Sequence, residues 1–364
     1  MRFRYKQWQG GAWDDPDFRR AILNLYHHLL LQTNGDVDEA LRNLERIGRH
    51  YGFFNDKFSI DDFRRWLKDN EAIREVAPGR HELTRKGERT IRRDSLAEIF
   101  GNLHKDAAGD HRVPQAGTGS ERLPETRPYL FGDAVNEIDS IATLGNAIRR
   151  GGLDDISIAE DDLEVYETEH LSACATVLLL DVSHSMVLYG EDRITPAKRV
   201  ALALTELITT RYPKDELSVV LFGDDALPVS LRDLPYVGAG PYHTNTKAGL
   251  RLAQQILARR RHANKQIVMI TDGKPSCIFE GGRLYKNPFG LDPKIVNRTL
   301  DEAVACRRKG IRVTTFMVAD DPHLRGFVDR FTELNRGRAY YSDLENLGAF
   351  VLVDFVKNRR KRVR

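Results

Sequence analysis

The chain has 364 residues, 30% of them charged and 41% hydrophobic, with a formal net charge of +3. That length accommodates two or three domains with at least one substantial core. So small a net charge gives no reason by itself to expect a nucleic-acid partner. No run approaches the roughly 20 apolar residues needed to cross a bilayer, and the opening stretch MRFRYKQWQGG lacks the apolar centre of a secretory signal. Cys174, Cys277 and Cys306 lie far apart and form no CxxC pair. A cytoplasmic protein with reduced, structural thiols is the expectation.

Residues 1 to about 75 read as three short helices. Asp17 to Gln32 repeats Phe18, Ile22, Leu25, Leu29 and Leu30 at helical spacing. Asn34-Gly35 stops that helix, and Asp36 or Asp38 is placed to cap the next, Glu39 to Tyr51. Ser59 followed by Asp62 begins a third, with Phe63 and Trp66 facing inward. Beyond the Pro78-Gly79 turn, Leu83-Thr84-x-x-Gly87 resembles the strand-to-helix step of winged-helix domains. Arg85, Lys86, Arg89, Arg92 and Arg93 make this segment basic, which is compatible with nucleic acid. Their alternation with Glu88, Asp94 and Glu98 favours a solvated helix face instead.

Residues 105–127, rich in Gly, Pro and polar side chains, read as a linker or mobile loop. Ala134 to Arg150 then reads as an amphipathic helix and Asp162 to Glu169 as a strand. From Ala173 onward strand and helix alternate regularly. Ala175 to Leu180 is short, apolar and without alternation, as in a strand buried on both faces of a parallel sheet. Helices are predicted over Thr195–Tyr212, Thr246–Arg260, Asp292–Lys309, Leu324–Leu334 and Glu345–Lys357. Between them lie strands at Leu217–Phe222, Gln266–Thr271, Ile311–Val318 and Ala339–Tyr341. The fold class is therefore α/β, a doubly wound, mainly parallel sheet preceded by a mostly helical region. The predicted division is a helical domain over 1–104, the linker over 105–127, a connecting segment over 128–170 packed on the last domain, and 171–364 as the α/β domain with a basic tail.

Two buried strands of this half end in aspartate, LLLD at Asp181 and MITD at Asp272. Open α/β sheets place their ligand sites at the carboxyl ends of the strands. Asp181, Ser183 and Ser185 alternate there, and the loop VGAGPYHTNT delivers Thr244 to the same edge. Hydroxyl and carboxylate donors without a thiol or imidazole cluster suit Mg²⁺, Mn²⁺ or Ca²⁺ and disfavour zinc.

Asp181-x-Ser183-x-Ser185, Thr244 and Thr271-Asp272-Gly273 together resemble, in order, the metal-ion-dependent adhesion site of von Willebrand factor A (vWA) domains. The resemblance covers roughly Ala173 to Arg364. It implies that Ser183, Ser185 and Thr244 coordinate a metal, with Asp181 and Asp272 binding directly or through water. It further implies a coordination position open to an Asp or Glu of a protein partner, with no bond broken. His184 departs from the family, which usually has Gly there; it reads as a bystander, and His243 is treated with the same reserve. Asp224 and Asp225 read as solvated turn residues. Phe279, Tyr285 and Phe289, which follow the second aspartate, suit either a partner surface or a local core.

The arrangement further resembles bacterial cytoplasmic proteins that set a helical region before a vWA domain and work beside MoxR-like or magnesium-chelatase-like AAA+ ATPases. An adaptor or co-chaperone of such an ATPase, or of its client, is the expectation. Two alternatives stand beside it. One is a DNA-associated regulator using the basic helix and the tail KNRRKRVR, six of whose eight residues are basic. The other is a metal-dependent hydrolase, for which no general base is recognisable and no GxxxxGK[ST] phosphate loop is present.

Overall fold

The computed structural model describes residues 15–54, 58–106, 121–129, 138–152, 157–169, 173–262, 264–287, 289–318 and 322–341, with positions 347, 348, 351 and 355. The chain divides into two units: Met1–Ala107 with Ala173–Leu352, and Ala108–Ser172 with Val353–Arg364. The basic tail and most of the predicted closing helix lie outside the described residues.

The first unit opens with helices whose boundaries follow from their caps. Helix α1 (Pro16–Gln32) has proline in its first turn and Asp15 accepting from the Asp17 amide, and α2 (Val37–Tyr51) is capped by Asp36, which accepts from the Glu39 amide at 2.8 Å. Of the two candidate caps Asp36 serves; Asp38 instead accepts from the His81 amide and ring. Helix α3 (Ile60–Asp69) begins with a reciprocal Ser59–Asp62 capping box. A hairpin, β1 (Ile73–Ala77) and β2 (Arg80–Leu83), leads through Thr84 into the long α4 (Arg85–Asp106).

The second unit is described by itself. Strand β3 (Glu121–Pro128) pairs antiparallel with β4 (Glu164–Glu169), and α5 (Ser140–Gly151), capped by Asp139, lies between them in sequence. Residues 121–127, expected to belong to a linker, are thus part of a strand. Their backbone groups find partners across a hairpin separated by some forty residues, and local composition carries no sign of such a partner.

Six strands form the main sheet, in the order β12-β11-β8-β5-β6-β7. In chain order these are β5 (Cys174–Asp181), β6 (Glu216–Phe222), β7 (Ala226–Val229), β8 (Asn264–Thr271), β11 (Ile311–Met317) and β12 (Arg338–Tyr341). All neighbours are parallel except β7, which returns antiparallel along the edge of β6. Helices α6 (Ile194–Arg211), α7 (Thr246–Ala258), α8 (Pro293–Arg308) and α9 (Pro322–Asn335) connect the parallel strands, and a small hairpin, β9 (Cys277–Glu280) and β10 (Arg283–Lys286), follows β8. Every residue of the central β5 is buried. Its Val177 and Leu179 join Val220, Leu250, Ala253, Ile267, Met269 and Val313 in the core beneath α7, α8 and α9.

The other face of the sheet is covered differently. Helix α6 buries residues around its whole circumference, from Ile194 and Ala197 through Leu202, Ala203, Leu204 and Ile208. An all-round apolar helix needs a second cover. Here α1 and α4 of the N-terminal region pack on the side of α6 away from β5. The two parts meet through Lys198 of α6, which is fully buried. Its ammonium donates to the Leu31 carbonyl, to Asn34 Oδ1 at 3.0 Å and to the Val237 carbonyl at 2.7 Å. Arg199 beside it reaches Glu98 at 2.7 Å and His28 Nδ1 at 2.8 Å. The turn after α1 fits closely as well. Gly35 has φ +84°, and a β-carbon there would lie 2.3 Å from the Tyr236 ring, so only glycine serves. The helical region and the sheet domain lie within one compact unit.

Replacing Lys198 by Met leaves two buried carbonyls and Asn34 without their donor, and is expected to cost about 2–4 kcal/mol in urea unfolding. Burial pushes the Lys198 ammonium down to about 8. Between that value and the unfolded value near ~10.4 the unfolded chain holds the extra proton, so this group's contribution to stability rises with pH across that window. The advantage of wild type over Lys198→Met should widen from pH 8 toward pH 10. A gap below about 0.5 kcal/mol at all pH values would show that Lys198 is not a structural tie.

Candidate metal centre

Strands β5 and β8 are neighbours in register, with Leu180 opposite Ile270, so Asp181 stands beside Thr271 and Asp272 follows one residue on. Both carboxylates are buried, Asp181 fully and Asp272 to 5% exposure. Asp181 Oδ1 accepts from the Ser183 amide at 2.9 Å, and Oδ2 accepts from the Thr271 hydroxyl at 2.5 Å. Thr271 Oγ1 in turn accepts from the Gly273 amide at 3.0 Å. Gly273 has φ +99°, and a β-carbon there would strike Met317, so the sharp turn after Asp272 is available to glycine alone.

Ser183 and Ser185 place their hydroxyl oxygens 3.0 Å apart. Ser185 donates to the Asp272 carboxylate, whose Oδ2 lies 3.7 Å from Arg193. The other oxygen, Asp272 Oδ1, is buried and has no hydrogen-bond partner. Burial pushes the Asp181 carboxyl up and the Asp272 charge adds to the shift, with Ser183 and Thr271 opposing it. Burial likewise raises Asp272, against the pull of Ser185 and Arg193. Two buried like charges and an orphaned carboxylate oxygen are what a divalent cation would relieve.

Thr244 reaches this edge on a loop held from three sides. Toward β5, the Gly240 amide donates to the Val182 carbonyl and the His184 amide donates to the Tyr242 carbonyl. Toward the turn after β8, Ser276 Oγ accepts from the Thr244 amide at 2.9 Å, and the Ser276 amide donates to the Thr244 carbonyl at 3.0 Å. Toward β6, Asp224 Oδ1 accepts from the His243 amide at 2.7 Å and faces its ring Nδ1 at 3.1 Å, while the Asp224 carbonyl accepts from Asn245 Nδ2. Thr244 itself is buried. The structure therefore gathers the loops of Asp181, Ser183, Ser185, Thr244 and Asp272 at one sheet edge.

Other sequence expectations sort as follows. The His184 side chain is exposed, in keeping with a bystander. Asp224, read as a solvated turn residue, instead pins the Thr244 loop, a role invisible without the fold because its partners lie some twenty residues away. Tyr285 bonds to Asp292 and lies under Lys294, and its ring, like Phe279 and Phe289, is exposed. In the basic helix α4, Arg92 lies 3.5 Å from Glu206 and Lys86 lies 3.2 Å from Glu71. The three cysteines are buried and none is in a disulfide among the described residues, and burial pushes the Cys277 and Cys306 thiols up to about 12. Arg193 and Ser276 are contributors to the site that sequence spacing did not single out, and Thr271, named there only within Thr271-Asp272-Gly273, contributes its hydroxyl. Among the described residues no group of three or more His, Cys, Asp or Glu gathers to hold a metal. No helix of the described residues is long and apolar enough to cross a membrane.

Comparison with known proteins bears on the family. Residues 174–356 match the family described as "Rv0959-like protein, vWA domain", and residues 121–168 match "Rv0959-like protein, third domain". Uncharacterized proteins of Mycobacterium tuberculosis and Mycobacterium bovis are 32% identical over 359 residues, covering 91% of this chain and 52% of each relative. The chain thus spans about half the length of the curated relatives it matches. Among solved structures, the PilB minor pilin of Streptococcus sanguinis aligns with TM-score 0.43 and 14% identity over 57% of this chain and 67% of its own. The vWF domain of the type V pili tip protein Mfa5 of Porphyromonas gingivalis aligns with TM-score 0.40 and 14% identity, over 53% of this chain and 98% of its own. The parallel sheet with Asp181 and Asp272 at its carboxyl edge is the vWA domain of this chain, which belongs to the family of Rv0959-like vWA proteins.

Proposed function

We propose that the chain is a metal-dependent protein-binding module that captures a carboxylate of a protein partner. The single observation that carries this reading is the buried Asp181–Asp272 pair with Asp272 Oδ1 unpartnered. Ser183, Ser185 and Thr244 would hold Mg²⁺, with Asp181 and Asp272 bound directly or through water; Mn²⁺ and Ca²⁺ accept the same oxygen donors. When bound, the ion supplies a Lewis-acid position open to a ligand from outside the chain.

The charges of this chain's own residues then select that ligand. Two carboxylates balance a divalent ion, and Arg193 adds one positive charge 3.7 Å from Asp272. The loaded site carries an excess of positive charge and favours an anion, which on a protein is Asp or Glu. Arg193 also holds Asp272 in place, and Thr271 and the Ser183 amide fix the Asp181 carboxylate, so the donors need little reorganisation. vWA domains commonly serve protein–protein interaction, which fits a binding role without bond cleavage. For the partner we propose an AAA+ ATPase of the MoxR-like or chelatase-like kind, or its client, on the resemblance to bacterial vWA proteins that work beside such machines.

Mg²⁺ should raise the melting temperature of wild type, with about 2.7 kcal/mol of added stability at a hundredfold excess over Kd. Asp272→Asn should abolish that shift while leaving the metal-free protein at least as stable as wild type, because one of two repelling buried charges is gone. No Mg²⁺ shift in wild type, or an undiminished one in Asp272→Asn, would sink the metal reading.

Affinity capture from lysate with wild type, Asp181→Ala and wild type in EDTA should recover an AAA+ ATPase or its client with the first bait alone. Equal capture in EDTA would contradict a metal-bridged contact. Turnover of an ester or phosphoester that disappears in Asp272→Asn would replace binding by hydrolysis as the function.

A further inference from the structure

Asn245, the residue after Thr244, lines a hollow of about 260 Å³ between the start of α7, the β7 edge and the β9–β10 hairpin. Its walls are partly apolar, through Ala226, Leu252 and the exposed ring of Phe279. A second hollow, of about 470 Å³, runs on between α7 and α8, and Lys247, Arg251 and Gln255 form the wall common to both.

The charges along this trough are unevenly compensated. At the far end the groups satisfy one another, since Lys309 donates to Gln254 at 2.8 Å and Gln254 donates to Glu302 at 2.7 Å. At the end near the metal centre three cations bear on Glu280, one of them, Arg298, also lying 3.8 Å from Asp301. Lys294 pairs with Glu280, Arg298 lies 3.9 Å from it, and Lys247 adds its field, so that together, Lys294 foremost, they hold the Glu280 carboxyl below its usual range. Asp225, the acid lining the first hollow, accepts from the Ala226 amide at 2.8 Å. Lys247 and Arg251 make no ion pair with any of the described residues, and Arg251 is exposed.

We propose that this trough seats an acidic peptide segment of the partner. Its Asp or Glu side chains pair with Lys247 and Arg251, and an apolar side chain of the same segment lies in the first hollow against Phe279. Resting on the proposed function above, the same segment supplies the carboxylate for the metal centre, which opens only a residue away from the trough. Complementary charge is the ground for this choice of occupant: a segment rich in Asp and Glu meets Lys247 and Arg251, two cations without an ion pair, against one such acid in the first hollow, Asp225. An extended acidic segment reads such a groove through side chains, while the metal fixes its register.

The probe is a short fluorescent peptide of glutamates around one phenylalanine, titrated by anisotropy against the full chain with Mg²⁺ and with EDTA. The double variant Lys247→Glu/Arg251→Glu should weaken binding about tenfold or more in Mg²⁺, while keeping the Mg²⁺-induced rise in melting temperature. Arg312→Glu, an equal charge change per site at the amino end of β11 and so at the opposite sheet edge, should leave binding within about twofold. Binding that persists undiminished in the double variant, or falls equally in Arg312→Glu, overturns the proposal. So does a single-stranded oligonucleotide of equal charge that binds more tightly and is lost in the double variant, because the trough would then read phosphates. The two readings fail separately. If wild type shows no Mg²⁺ shift but the peptide still binds, weakly and sensitively to the double variant, the metal reading fails and the trough stands.

Discussion

Two carboxylates buried at the ends of neighbouring parallel strands set the conditions for everything around them. Asp181 and Asp272 lie where the protein core meets the loops, out of reach of most water. An ionised carboxylate in such a place is costly unless donors or positive charge surround it. The structure supplies a limited set of donors: an amide and a hydroxyl for Asp181, and the Ser185 hydroxyl, the Lys274 amide and one guanidinium for Asp272. One oxygen is left over. A fold that keeps such an arrangement retains a compact, preorganised anionic centre, and the sheet topology accounts for its position. Only a parallel β5–β8 pair brings both carboxyl ends, and both aspartates, to the same edge.

The hydroxyl donor Thr244 depends on a longer chain of contacts. Its loop is tied to β5 through Val182 and Tyr242, to the turn after β8 through Ser276, and to the turn after β6 through Asp224. At its beginning, Val237 accepts from Lys198, which also donates to Leu31 at the end of α1. The helical region therefore reaches into the frame of the centre by hydrogen bonds through this buried ammonium. This also explains the composition of α6. A helix lying between a sheet on one side and two helices on the other has no solvated face, so Ala, Leu and Val occur all around it.

Membership of the Rv0959-like vWA family accounts for both matched segments, the vWA domain and the short β3–β4 unit that precedes it in sequence. The vWA domain carries the candidate centre. The curated relatives are about twice as long as this chain, so their activity as whole proteins belongs to a larger architecture than the one described here.

Much of the sheet domain was legible in the sequence, because local rules and tertiary structure agree there. The short apolar runs ending in Asp181 and Asp272, the helical periodicity between them and the Thr244 loop are all local patterns, and in a parallel sheet their placement follows from connectivity. Caps such as Asp36 and Ser59 were readable for the same reason, since a cap bonds within three residues of itself. What the fold alone decided involves partners far away in the chain. Residues 121–127 look like a linker because their pairing strand lies beyond 164. Asp224 looks solvated because His243 and Asn245 reach it only once β6 and α7 are packed. Nothing in the local sequence around Lys198 or Arg193 names their acceptors. Their acceptors, Leu31 and Val237 in one case and Asp272 in the other, lie tens to more than a hundred residues away. A side chain's type and spacing determine what it is able to bond; which buried group it meets is decided by packing, where an unpaired polar atom is too costly to leave alone.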